Sequence, residues 1–78
     1  MNISGLVIHA RPAQADAVHS ALRALPGVEV HARGVDGRFI ITLEDSPEWP
    51  AADAFVRLRD IPGVLSAAVV YEQSADIP

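Results

Sequence analysis

The chain repeats itself. Leu22-Arg23-Ala24-Leu25-Pro26-Gly27-Val28 returns as Leu58-Arg59-Asp60-Ile61-Pro62-Gly63-Val64, with Pro26 and Pro62 36 residues apart in a chain of 78. In each copy a Pro-Gly pair closes a helical pattern and a branched residue opens a strand. A repeat at nearly half the chain length implies two similar units. Each is too small to bury its own apolar face, so the two must pack together. At this size residues 1–78 form a single domain with one modest core. The chain has no cysteine, so packing alone must hold that core, without disulfides or thiolate-bound metal.

The elements follow from periodicity. Ile3 to His9 is a short run of mostly branched residues, a strand. Pro12 stands where a first helical residue belongs, and Ala15, Val18, Leu22 and Leu25 recur at helical spacing up to Pro26. Val28 to Arg33 alternates as a half-buried strand, Gly34 to Gly37 carries an Asp-Gly turn signal, and Arg38 to Glu44 alternates again, which makes a hairpin. Asp45-Ser46-Pro47 has the form of a helix start, with Pro50 in the first turn and Ala51, Ala54, Phe55 and Leu58 on one face up to about Asp60. Val64 to Tyr71 is the last strand, and Gln73 to Pro78 reads as a frayed tail. The order βαββαβ with this echo predicts an α+β, ferredoxin-like split arrangement: a four-stranded antiparallel sheet, order 4-1-3-2, with both helices on one face.

Such a fold leaves one sheet face without helices. With Phe39, Ile41 and Leu43 turned to the helices, Ile40, Thr42 and Glu44 face away. The same phasing sends Ser4, Leu6 and Ile8 inward and Ile3, Gly5, Val7 and His9 outward. In the last strand it places Val64, Ser66, Ala68 and Val70 inside and Leu65, Ala67, Val69 and Tyr71 outside. In the second strand it leaves Glu29, His31 and Arg33 outside. A wet sheet face is normally polar; here Val7, Leu65, Val69 and Tyr71 would form an apolar patch, the mark of a partner surface. A homodimer hiding this face would give the same pattern.

Several chemistries are excluded or unsupported. Six basic residues, all Arg, against ten acidic residues give a net charge of −4, contrary to a phosphate-neutralising nucleic-acid binder. The RNA-binding form of this fold stacks bases on aromatic residues of the two central strands. Those strands offer only Phe39, in the inward phase. His9, His19 and His31 fall on three elements without metal-ligand spacing, and the loop where metal carriers of this fold place Cys-x-x-Cys reads His9-Ala10-Arg11-Pro12. An acylphosphate hydrolase would want an Arg after the first strand and an Asn near the second helix. Arg11 fits the first, but the chain has no Asn beyond Asn2. No catalytic residue is assigned, no metal or other cofactor is expected, and a binding role is the default. No apolar run reaches the ~18 residues of a membrane span, and the start lacks a positive n-region, so a cytoplasmic protein without membrane insertion is expected.

Four stretches taken in order resemble the NapD family: Ile3-Ser4-Gly5-Leu6-Val7-Ile8-His9-Ala10-Arg11-Pro12, Leu25-Pro26-Gly27-Val28-Glu29-Val30-His31-Ala32, Gly37-Arg38-Phe39-Ile40-Ile41-Thr42-Leu43-Glu44, and Ile61-Pro62-Gly63-Val64-Leu65-Ser66-Ala67-Ala68-Val69-Val70-Tyr71. The resemblance covers nearly the whole chain. Many members open the first strand with two serines, where this chain has Ser4 and Gly5. The resemblance implies a cytoplasmic maturation chaperone for the periplasmic nitrate reductase. It would bind the twin-arginine signal peptide of the catalytic subunit as a helix on the sheet, delaying export until the molybdenum and iron–sulfur cofactors are loaded. The expected peptide-binding residues are Gly5, Val7, His9, Glu29, Ile40, Thr42, Glu44, Leu65, Ala67, Val69 and Tyr71. Glu29 and Glu44 are candidates for the paired arginines, with Glu72 at the sheet end as a third. Because Pro-Gly-Val also closes helices in amino-acid-binding regulatory domains of this architecture, a dimeric small-ligand sensor is the alternative.

Overall fold

The computed structural model describes residues 2–45, 48 and 50–74. Strand β1 spans Asn2–Ala10, helix α1 Ala15–Ala24, β2 Val28–Arg33, β3 Arg38–Glu44, helix α2 Ala51–Asp60 and β4 Val64–Ser74. One antiparallel sheet has the order β2-β3-β1-β4, the expected order 4-1-3-2 read from the other edge. The α+β, ferredoxin-like arrangement is as expected. The repeat survives in the backbone, since Gly27 and Gly63 close the two helical units with φ of 76° and 98°.

Neither helix is long enough to stand alone. Each forms because its apolar stripe lands on the sheet. Val18 and Leu22 of α1 and Ala54 and Leu58 of α2 are fully buried against Leu6, Ile8, Phe39 and Ile41. Each large side chain buried in this way contributes about 1.5–3 kcal/mol. The first helical unit starts with a 3-10 turn at Pro12–Gln14, with Pro at its first position. The second starts later than the sequence implies. Pro50 is its N-cap, and the Ala51 amide donates to Asp45 Oδ1 at 2.8 Å. The proposed start at Ser46 and Pro47 lies outside the described residues. At the other end the strand continues through Gln73 and Ser74 where a frayed tail was expected, because these residues pair with Ile3 and Asn2.

Three register shifts decide which side chains reach which face of the sheet. One lies in β2 between Val30 and Ala32, and two lie in β4, leaving Leu65 and Val70 without a partner on β1. Each bulge adds one residue and reverses the alternation beyond it.

The β2–β3 turn is pinned to the end of β1. The Ala10 amide donates to the Gly37 carbonyl at 2.8 Å, and Gly37 has φ +88°, with no room for a Cβ against the Ala10 carbonyl oxygen. Gly37→Ala is therefore predicted to lower the stability measured by urea unfolding by at least about 1–2 kcal/mol, the cost of the left-handed conformation for an L-residue.

Candidate functional site

The face without helices is built by residues whose partners share a side of the sheet. Ile3 pairs with Glu44, Gly5 with Thr42, Val7 with Ile40 and His9 with Arg38 across β1–β3. Glu29 pairs with Thr42 across β2–β3, and Gly5 with Tyr71 across β1–β4. Directly paired residues point to the same side, so Gly5, Val7, His9, Glu29, Ile40, Thr42, Glu44 and Tyr71 share the open face, as the sequence implied. Ile40 is 44% exposed and Tyr71 50%.

Two residues leave the expected face and one loses its place in the ladder. Ala67 pairs with Ile8 and Val69 with Leu6, both of which are fully buried on the helix side. Ala67 packs on the core, and Val69 lines a groove with Phe55 of α2. The extra residue Leu65 has inverted the phase, so Ser66 and Ala68, expected inside, lie outward opposite His9 and Val7. Leu65 itself is exposed but has no partner on β1. Val70, expected inside, is the second extra residue and is 57% exposed. It restores the outward direction of Tyr71. The apolar patch is thus real but differently composed: Val7, Ile40 and Tyr71 form its centre, with Ile3 beside Glu44.

The bulge in β2 corrects a further placement. Ala32 faces Ile40, while Arg33 pairs with Phe39 and so turns to the helix side. There its guanidinium lies 5.6 Å from the Phe39 ring centroid, bonds Asp16 Oδ1 at 2.7 Å and donates to His19 Nδ1 at 3.3 Å. His31 stays outward, with Nε2 2.8 Å from Thr42 Oγ1.

The open face is electrically lopsided. Glu29 and Glu44 are diagonal neighbours across β2–β3, a spacing of roughly 7–8 Å in an antiparallel pair. Arg38 and His9 sit side by side at the other end, where Arg38 Nε pairs with Asp36 Oδ2 at 3.3 Å. Between them Tyr71 lies over Gly5, so close that a Cβ on Gly5 would occupy the ring's position. A second serine could not stand there without displacing the ring. Among the described residues no three His, Cys, Asp or Glu side chains converge to hold a metal, and no helix is long and apolar enough to cross a membrane.

The NapD family model ("NapD protein") matches residues 1–76. The chain belongs to the NapD family. Among solved structures it is similar to the solution structure of the E. coli Tat proofreading chaperone protein NapD, with a TM-score of 0.75 and 25% sequence identity over 95% of this chain and 79% of that one. No curated protein matches the chain.

Tyr71 is the chain's single tyrosine, which makes its seat measurable. The Gly5 Hα protons are predicted to resonate upfield of ordinary glycine positions, and to return to them in Tyr71→Ala. Gly5 protons at ordinary shifts in the unmodified protein would show that the ring does not lie there.

Proposed function

We propose that this chain is a maturation chaperone, acting in the cytoplasm, that binds the twin-arginine signal peptide of the periplasmic nitrate reductase catalytic subunit on its open sheet face. By holding that peptide it delays export until the molybdenum and iron–sulfur cofactors of the subunit are loaded. On this reading the chain performs no catalysis itself. Family membership and the likeness to a Tat proofreading chaperone support this role over an amino-acid sensor. The observation that carries it is the open face itself, apolar in the middle and acidic at one end.

A signal peptide of this class has a basic segment followed by an apolar one. Folded as a helix, its apolar side would lie on Val7, Ile40 and Tyr71. Its arginines would meet Glu29 and Glu44, which accept charge-assisted hydrogen bonds. The lopsided charge also gives the peptide a direction. Carboxylates favour a helix N-terminus and cations a C-terminus. The basic segment comes first in the peptide, so its N-terminal end belongs at Glu29 and Glu44, and its C-terminal carbonyls belong toward Arg38 and His9. A homodimer covering this face would then have to open before the peptide binds.

Titration calorimetry with the signal peptide tests the reading. Ile40→Glu places a charge in the middle of the apolar contact and is predicted to weaken binding at least about tenfold. Because Ile40 is exposed, its melting temperature should change little. Replacing Glu29 and Glu44 together by Gln should weaken binding and flatten its salt dependence. No binding of the peptide to the unmodified protein would overturn the proposal.

A further inference from the structure

A second concavity lies on the opposite side of the sheet, beside the first turn of α2. It measures about 360 Å³, and Ser4, Leu6, Leu43, Phe55, Val69 and Glu72 are among its walls. Among the described residues its lining side chains are apolar except for two. Ser4 is only 8% exposed and faces the groove, and its hydroxyl has no hydrogen-bond partner among the described residues. A buried hydroxyl without a partner is costly, and such a group in a cavity points to a ligand atom that would satisfy it. Glu72 pairs with Ser4 and is exposed, the single ionised side chain of the lining among the described residues. Apolar walls, one hydroxyl and one carboxylate fit an aliphatic stem ending in a cation.

The groove and the acidic part of the open face share one end of the sheet. Ser4 pairs with Leu43 and Glu72, and Ile3 pairs with Glu44 and Gln73, so the groove and the acidic end of the face lie back to back at the same end of the sheet. The sheet lies between them, and the way round it passes the outer strand β4, on which Tyr71 faces one way and Glu72 the other. We infer that the groove takes one basic side chain of the same bound polypeptide, from the segment that runs off the acidic end of the face and over β4. Its stem lies on Phe55 and Val69, its charged head meets Glu72, and its N–H groups donate to Glu72 and to Ser4 Oγ. This rests on the signal-peptide reading above and adds a second contact to it. Glu29 and Glu44 hold arginine on the front of the sheet, and Glu72 holds a further basic side chain of the peptide behind it.

Calorimetry with paired variants tests the groove separately from the face. Glu72→Gln, at an exposed position, should weaken peptide binding about tenfold, the scale of one charge-assisted hydrogen bond. Ser4→Val, which fills the groove from its floor, should weaken it as well, while Asp53→Asn, which removes an exposed charge elsewhere on α2, should not. With a peptide in which the responsible basic residue is replaced by glutamine, Glu72→Gln should have no further effect, the non-additivity of a direct pair. Unchanged affinity in Glu72→Gln while Ile40→Glu abolishes binding would overturn the groove and leave the face standing. An equal loss for every peptide, charged or not, would also overturn it. Failure of the unmodified protein to bind any peptide would overturn both.

Discussion

Everything in this molecule hangs on the contact between two short helices and the two central strands. Leu6 and Ile8 of β1 and Phe39, Ile41 and Leu43 of β3 are almost wholly withdrawn from water beneath α1 and α2. A ten-residue helix gains little from its own hydrogen bonds in water, and a sheet of four short strands needs a covered face. Neither layer persists without the other. Since both helices are spent on one side, the other side is left bare by necessity. The bare face is a product of the same packing that makes the protein fold at all.

That division of labour explains why the face can carry chemistry unrelated to stability. Glu29, Glu44 and Ile40 are exposed outside the core, so the fold places little demand on their identity. The helix-side residues, by contrast, do two jobs where β2 ends. Arg33 clasps Phe39, His19 and Asp16, and ties the hairpin to α1.

The architecture was legible because its signals are redundant. The repeated Pro-Gly-Val, the apolar stripe Ala15-Val18-Leu22 and the alternation of Phe39, Ile41 and Leu43 all point to the same arrangement. The phase of β3 was secure because large apolar residues occupy one side and Thr42 and Glu44 the other. In β4 the run Ser66-Ala67-Ala68-Val69-Val70 places small or apolar residues on both sides, so alternation carries no sign. Extrapolating from the ends then fails, since Val64 and Tyr71 obey a phase that two extra residues invert between them. In β2 the alternation was clean and still misled at Arg33, because a bulge is a property of the pairing and leaves no mark in the composition. Eight of the eleven expected face residues stand on the open face. Ala67, Val69 and Leu65, the three that do not, all lie between or at the β4 bulges.

The two bulges have a consequence for the chain in a crowded solution. From Val64 to Tyr71 the outer strand carries no charge and no proline. Such a stretch is a template onto which a second unprotected strand can add and begin a growing β-assembly. The opposite outer strand guards itself with Glu29, His31 and Arg33. This stretch of β4 has no such guards before Glu72, but its ladder is broken at Leu65 and again at Val70, and each break bends the strand and increases its twist. An incoming strand would find its register interrupted within a few residues. The irregularities that confuse a reading of the sequence also make β4 a poor template for edge-to-edge addition.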